Sequence, residues 1–193
     1  SEKGSMFAMY DYGLMLKYGD GIPMNKKEAA KYLKFAAEKG HTDAMYEYSQ
    51  ILVKGEGIQK NKEAAACYFK ISADLGNSNS MFNYAFMLEK GEEIETDKEE
   101  AVIYYKMAAD QGNFIAMNSY ASMKKKGIGT TKSKKEAAKY FKIAADNGNL
   151  SAMFNYAFML KTGNGIKKNE EEAVKYFKLA ADQGNASAAF NYA

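Results

Sequence analysis

The sequence predicts an all-α fold: a right-handed α-solenoid superhelix of antiparallel helix hairpins with a 36-residue period. The first observation behind this prediction is a tyrosine that returns at that spacing, at Tyr32, Tyr68, Tyr104, Tyr140 and Tyr176. The second is that columns of alanine and glycine keep the same spacing without insertions. The third is a single proline in 193 residues, which leaves long helices unbroken. Because one hairpin cannot bury both of its apolar faces, successive hairpins must stack.

The period also sets the organisation of the chain. We expect one repeat array over residues 1–193, with units at about 5–40, 41–76, 77–112, 113–148 and 149–184 and partial units at 1–4 and 185–193. Gly4 falls in the same column as Gly40, which ends a unit, and the last residues match the start of a first helix. The chain is therefore interpreted as a fragment of a longer array.

The first helix of each unit should follow an N-cap residue and end at a glycine. We expect these helices near 6–18 and 42–54, and at the same period thereafter. The N-cap column holds His41, Asn77, Asn113, Asn149 and Asn185. The apolar stripe of these helices is rich in methionine, in the columns of Met9 and Met15. That placement favours core filling over a soft-metal site.

The second helix of the first unit is expected near 26–39, again repeated at the period. Its N-cap column holds Asn25, Asn61, Asp97, Ser133 and Asn169. A glutamate stands three residues after the cap in four units, which predicts a capping box. Ala64 takes that place in the second unit and predicts a weaker cap there. Each second helix should end at the glycine column of Gly40, because glycine adopts the left-handed conformation at little cost.

Three residues depart from the repeat pattern, one in a first helix and two in the linkers. Glu93 replaces the second linker glycine, which stands at Gly21, Gly57, Gly129 and Gly165. Lys124 replaces a leucine, and Thr130 replaces an isoleucine. We expect Lys124 to pack its aliphatic stem and keep its amine in water.

The residues of one unit follow the pattern Ala-x-x-x-apolar-small-x-x-apolar-x-x-Gly-x-Gly-Ile, a spacer, and Ala-x-x-x-Tyr-x-x-Ala-Ala-x-x-Gly. The fifth unit carries it as Ala152, Tyr156, Ala157, Leu160, Gly163, Gly165, Ile166, Ala173, Tyr176, Ala180, Ala181 and Gly184. This pattern resembles the Sel-one-like repeat (SLR) family, whose α-solenoids are related to the tetratricopeptide repeat. The resemblance covers essentially the whole chain and implies a protein-interaction scaffold. The disulfide that ties each unit in some bacterial members is absent, since the chain has one cysteine.

Composition and motifs point away from an enzyme. The chain has one histidine and one cysteine, too few for a zinc site. His41 is expected to be a surface helix cap, and Cys67 a partly exposed, unreactive thiol. The Gly-x-Gly pairs lack the lysine and the preceding strand of a phosphate-binding loop. We therefore expect no catalytic site, no metal and no cofactor.

Charge and hydropathy indicate neither nucleic acid nor membrane as a partner. The net charge of +3 is small, and the first helices include the acidic Asp11 and Glu47. No apolar run approaches the roughly 18 residues of a membrane span. Sequons at Asn149 and Asn185 would suit a secretory lumen, but both residues stand in the N-cap column. A cytoplasmic location is therefore favoured, with the secretory lumen as the alternative.

The resemblance implies that the first helices line a concave face. The candidate partner-binding residues on it are Tyr10, Tyr46, Phe82, Asn83, Phe86, Asn118, Phe154, Asn155, Phe158 and Asn191. An asparagine amide can donate to and accept from one peptide unit of an extended ligand. The third and fifth units repeat Phe-Asn-x-x-x-Phe toward this face. The alternative is that these phenylalanines pack between neighbouring first helices while the asparagines face water.

The leading function is a protein–protein interaction scaffold or adaptor that binds a peptide segment or a partner protein of unknown identity. The alternative is a regulatory or targeting arm of a larger enzyme, or a lumenal degradation adaptor, whose other domains lie outside this sequence. We also expect bare apolar surface at both ends, from Phe190 and Tyr192 at one and from Met6, Met9 and Tyr10 at the other. Such ends predict weak head-to-tail self-association.

Overall fold

The computed structural model describes residues 2–91 and 93–192, and every regular element in this part of the chain is an α-helix. The helices are α1 (Glu2–Tyr18), α2 (Lys26–Glu38), α3 (Thr42–Lys54), α4 (Lys62–Asp74), α5 (Ser78–Lys90), α6 (Lys98–Asp110), α7 (Phe114–Lys126), α8 (Lys134–Asp146), α9 (Leu150–Thr162), α10 (Glu170–Asp182) and α11 (Ala186–Tyr192). The predicted all-α fold with its 36-residue period is confirmed. The chain divides into two compact units, Ser1–Thr96 and Asp97–Ala193. A single array over residues 1–193 stays a prediction.

In the 1–96 unit, each helix from α1 to α5 packs against the next one in sequence. Alanines occupy the contacts, and Ala29, Ala36 and Ala44 are completely buried. Because these side chains are small, the helix backbones approach closely. Leu33 and Phe69 fill the remaining space from the second helices.

The 97–193 unit is built in the same way from α6 to α11. Its core holds Phe141, Phe177 and Met159 among alanines of both helix types. The repeating tyrosines of α8 and α10 each meet a tyrosine of a first helix edge to face. The ring centroids are 4.8 Å apart for Tyr120 and Tyr140 and 5.0 Å apart for Tyr156 and Tyr176. The tyrosine column therefore joins the two helix types.

The second helices begin at the predicted caps, but the capping boxes are only half made. Each cap side chain accepts the backbone N–H three residues on, and Asn61 does so from Ala64 at 2.9 Å. The cap N–H itself donates to the preceding first helix at Asn25, Asn61, Ser133 and Asn169, for example from Asn25 to the Leu16 carbonyl at 2.9 Å. In a capping box, the glutamate side chain would accept the N–H of the cap residue. Because that N–H is already bonded here, the glutamate is not needed for it. The Asn61 cap forms although Ala64 takes the place of the glutamate, and a weaker cap in the second repeat stays a prediction.

The turn from a second helix to the next first helix is as short as predicted. At Gly40, φ is 93°, and the His41 N–H donates to the Ala36 carbonyl at 3.0 Å. The first helix α3 begins at Thr42. The prediction was wrong at Gly4, which stands in the same column but lies inside α1. Continuing the helix through Gly4 satisfies the backbone groups internally, so α1 does not begin near residue 6.

The linker glycines adopt left-handed backbone conformations, as the pattern predicts. Gly57 has φ of 76°, and a Cβ there would lie 2.6 Å from the backbone of Lys26 and Lys27. This close approach excludes a side chain at that position. Glu93 adopts φ of 72° in the equivalent place, although it is not glycine, and pairs with Lys62 at 3.1 Å.

The expected exposure of His41 needs correction. His41 caps α3 as expected, with its Nδ1 accepting the Ala44 N–H at 3.2 Å, but it is buried and not at the surface. The Tyr10 ring stacks on it at 4.3 Å, and the Phe7 ring meets it edge-on at 4.8 Å.

The apolar residues expected to be bare near the two ends behave differently from each other. Met6, Met9 and Tyr10 are partly buried, because they pack against the core between α2 and α3. Phe190 is 86% exposed, and Tyr192 is also exposed, as predicted.

Candidate peptide-binding surface

In the 97–192 part of the chain, the candidate residues on α7 and α9 lie together. The Asn155 amide donates to the Asn118 side-chain oxygen at 3.1 Å, so the two first helices are in direct contact. Phe154 and Phe158 lie one turn apart on α9, with ring centroids separated by 6.4 Å. Phe154 packs edge-on against Phe177 of α10, whereas Phe158 is 42% exposed. The helices thus present a half-buried amide pair beside an exposed aromatic ring.

The same constellation occurs in the 1–96 unit on α5. Phe82 and Phe86 again have ring centroids 6.4 Å apart, and Phe86 is 45% exposed. The Lys90 ammonium lies 5.4 Å from the centroid of the Phe86 ring. The amide of Asn83, which is half-buried, donates to the Asn79 carbonyl of the same helix at 2.7 Å. Asn83 and Asn155 are therefore both accessible in part, but their amides have different partners.

The remaining candidates are less well placed for a ligand. Tyr10 is stacked on His41, and Tyr46 lies 6.1 Å from the ring of Phe69, so both rings are half-buried. Burial raises the pKa of both tyrosines above its ordinary value. Asn191 donates to the Ser187 carbonyl of its own helix at 2.9 Å.

Sequence reasoning missed an ion pair between neighbouring first helices. The Lys17 ammonium bonds the Glu47 carboxylate at 2.5 Å, and the two side chains are only 10% and 16% exposed. Burial alone would lower the pKa of Lys17, but the hydrogen bond and charge of Glu47 outweigh burial and raise it. The spacing of 30 residues between Lys17 and Glu47, which places them on neighbouring first helices of a 36-residue repeat, is the signal that could have revealed the pair.

A polar cluster in the fourth repeat was also missed. Lys124 is 12% exposed, and its ammonium lies 3.0 Å from Glu136 and 3.3 Å from the Thr130 hydroxyl. The expectation that its amine would be in water is wrong, because both groups replace water as partners. Tyr120 donates to Glu136 at 2.6 Å, and this bond lowers the pKa of that carboxyl. The joint departure of Lys124 and Thr130 from their apolar columns was the available signal.

A cavity of about 480 Å³ lies beside α8, and Glu136 of the polar cluster forms part of its lining. Its lining includes Lys135, Lys139 and Lys142 of α8, and Tyr156 of α9. Lys142 is already paired with Asp146 at 2.7 Å. Lys135 and Lys139 are exposed to solvent beside an apolar wall, and this arrangement does not indicate any particular ligand.

The described residues contain no cluster of histidine, cysteine and carboxylate side chains suited to a metal ion. Cys67 is exposed, as expected. Within the same part of the chain, every helix is too short or too polar to cross a bilayer.

Hairpins of this length, with glycine-bounded turns and alanine-lined contacts, define an α-helical repeat protein of the solenoid class. The chain belongs to the Sel1 repeat family, because the Sel1 repeat matches residues 7–41, 42–77, 78–113, 115–149 and 150–185. The resemblance noted in the sequence is thereby confirmed. Proteins with this non-enzymatic helical scaffold generally serve as protein-interaction modules.

The solved structures that are similar to this chain include two that it matches over nearly its whole length. A protective antigen of uropathogenic Escherichia coli strains, which displays an SLR fold, is 26% identical with a TM-score of 0.93. The match covers 99% of this chain, which thus spans 41% of the antigen. A Sel1 repeat protein from Oxalobacter formigenes is 25% identical over 95% of this chain and 75% of its own, with a TM-score of 0.86. No curated protein matches the chain.

Proposed function

We propose that this chain is an interaction scaffold that binds a peptide segment of a partner protein on the face formed by its first helices. The observation that carries the proposal is the repeated constellation of a half-buried asparagine between two phenylalanines, at Phe82–Asn83–Phe86 and again at Phe154–Asn155–Phe158. Phe86 and Phe158 stay exposed although their neighbours on the same helices are buried. Exposed aromatic rings beside amides are typical of surfaces that bind protein.

The chemistry of the constellation suits an extended peptide. An exposed phenylalanine offers apolar area to a ligand side chain, and Phe86 and Phe158 leave 45% and 42% of theirs exposed. An asparagine amide can also serve one backbone group of the ligand. Each of the two compact units, 1–96 and 97–193, carries one copy of this constellation, so the proposal applies to the two separately.

We further propose a cytoplasmic location. In support, the side-chain oxygens of both sequon asparagines are used as caps, since Asn149 accepts the Ala152 N–H and Asn185 the Ala188 N–H, each at 2.9 Å. Expression of the chain in a secretory pathway tests this reasoning. Efficient glycan attachment at either residue, with the fold retained, would contradict it.

The binding proposal is tested by selecting short random peptides against the protein and measuring their affinities for variants. We expect Phe158→Ala to weaken peptides bound by the 97–193 unit by about tenfold, and Phe86→Ala to do the same for the 1–96 unit. Leu179→Ala is the matched control, because Leu179 is an exposed apolar residue on the second helix α10. Peptides that bind all three variants equally would disprove the proposal.

A further inference from the structure

The lysine of the Lys17–Glu47 pair has counterparts in the other unit of the chain. Lys125 and Lys161 stand in the same column as Lys17, while Asn155 and Asn191 stand where Glu47 does. The 97–192 part thus keeps the lysine of the pair and replaces the carboxylate with a neutral amide.

Lys125 is consequently a half-buried cation for which the described residues supply no carboxylate. Its ammonium lies 5.7 Å from the centroid of the Phe141 ring. The neighbouring charge is another cation, Lys126, and burial together with that charge lowers the pKa of Lys125. Lys161 is exposed, but its ammonium likewise lies near a ring, 5.9 Å from the centroid of Phe177. An anion that approaches a partly desolvated ammonium stabilises its charged form.

The first helices of this part of the chain carry no acidic residue at all. The sequences of α7, α9 and α11 contain neither aspartate nor glutamate. In the 1–96 unit, by contrast, Asp11 and Glu47 stand in the column of Asn155, and Glu47 already neutralises Lys17. The two first-helix faces therefore favour ligands of different charge, although their aromatic constellations are alike. The face of residues 97–192 favours an anion, whereas that of the 1–96 unit already has its own carboxylates.

We propose that the first-helix face of residues 97–192 binds an acidic peptide segment, one carboxylate of which lies beside Lys125 as Glu47 lies beside Lys17. This inference rests on the proposed function and names the partner chemistry of one unit. The exposed ring of Phe158 receives an apolar side chain of the same segment. A second carboxylate pairs with Lys161. Because neighbouring helices are about 8–10 Å apart and an extended chain rises about 3.3 Å per residue, the two carboxylates are about three residues apart.

A peptide fits this face better than a nucleic acid does. Lys124 is already engaged by Glu136, so only Lys125, Lys126 and Lys161 remain as cations on α7 and α9. Three cations are few for a phosphate backbone, whose affinity depends on many such contacts. The amide pair of Asn118 and Asn155 between the lysines matches peptide groups instead.

The test uses a panel of acetylated and amidated peptides that carry glutamate, two apolar residues and glutamate within varied flanks. Each peptide has a twin with glutamine in place of glutamate. We expect the acidic peptides to bind the wild-type protein at least about tenfold more tightly than their twins, a difference that Lys125→Gln abolishes. Lys139→Gln, an exposed lysine of α8, is the charge-matched control and should change nothing.

The decisive variant is Asn155→Glu, which restores the pair seen at Lys17 and Glu47. It should fold, neutralise Lys125 internally and lose the preference for acidic peptides. Glu47→Asn makes the reverse change in the other unit and should leave binding at Lys125 unaltered. Nuclear magnetic resonance titration of the Lys125 side chain adds a second measurement, in which bound acidic peptide raises its pKa.

The outcomes separate this inference from the proposed function. If the glutamine twins bind as well as the acidic peptides and both depend on Phe158, the charge inference is wrong and the proposed function stands. If no peptide of the panel or of the random selection binds, both are wrong. Binding of single-stranded RNA with the same dependence on Lys125 would overturn the peptide assignment.

Discussion

Glu93 shows what a single side chain costs when it takes a glycine's place. Its φ of 72° is unfavourable for a residue with a Cβ, by about 1–2 kcal/mol. The ion pair with Lys62 is half exposed and offsets only part of this cost. The linker therefore retains its shape at this position with some loss of stability.

We expect Glu93→Gly to raise the free energy of unfolding by about 0.5–1 kcal/mol, because relief of the backbone exceeds the lost ion pair. Chemical denaturation at neutral pH measures the change. Glu93→Gln is the control, since it removes the charge and keeps the backbone conformation. A stability of Glu93→Gly below that of Glu93→Gln would contradict this account.

Successive second helices are joined by a tyrosine and an aspartate. Tyr176 of α10 donates to Asp146 of α8, which also accepts from Lys142, and Tyr140 donates to Asp110 of α6 in the same way. Burial and the bond to Asp146 raise the pKa of Tyr176 to about 12. Burial opposes ionisation of Asp146, but the bonds from Lys142 and Tyr176 outweigh it and lower the pKa of Asp146.

Tyr176→Phe should lower the free energy of unfolding by about 0.5 kcal/mol at pH 7, since the bond involves a charged but partly exposed group. The pKa of Asp146 is lowered in the folded protein, so its contribution is complete above the ordinary value of about 4 and is lost as the pH falls below it. The difference between the variant and the wild type should therefore shrink in acid.

Denaturation curves at several pH values measure this dependence. Tyr32→Phe is the control, because Tyr32 shares the column and its hydroxyl has no hydrogen bond among the described residues. A Tyr176→Phe effect that does not change with pH would show that the hydroxyl acts without Asp146.

The sequence predicted these helices well because their limits depend on local chemistry. Each cap and glycine stop acts within a few residues, so the boundaries follow from spacing alone. For the candidate surface, the sequence predicted which residues belong to it but not which contacts they make. The Lys17–Glu47 pair, the Lys124 cluster and the burial of His41 depend on side chains of adjacent helices, and no helix pattern contains that information.

Within each unit, the extensive contacts are those between helices that follow one another in sequence. Stability is then a sum over hairpins and their nearest neighbours, and a local defect has a local effect. The same arrangement keeps contacts short in sequence, which favours rapid folding.

We expect Phe141→Ala to destabilise the chain by about 3–5 kcal/mol, because this ring is completely buried in α8. Hydrogen exchange should show the largest loss of protection in α7, α8 and α9, with α1 to α3 keeping theirs. Ile103→Ala, an exposed position on α6, is the control. Uniform loss of protection along the chain would contradict a nearest-neighbour description.

The bonds from the cap N–H groups of Asn25, Asn61, Ser133 and Asn169 to the preceding first helix have an evolutionary consequence. Together with the glycine turn at Gly40 and its equivalents, they keep these backbone junctions inside one period of sequence. An in-frame duplication or deletion of one period therefore preserves these backbone junctions, and selection can act on binding residues without redesigning the backbone. The identical octapeptides Met81–Leu88 and Met153–Leu160 are what such copying would leave behind. A gene of this kind can lengthen or shorten its product by whole hairpins while each copy diverges on its exposed face.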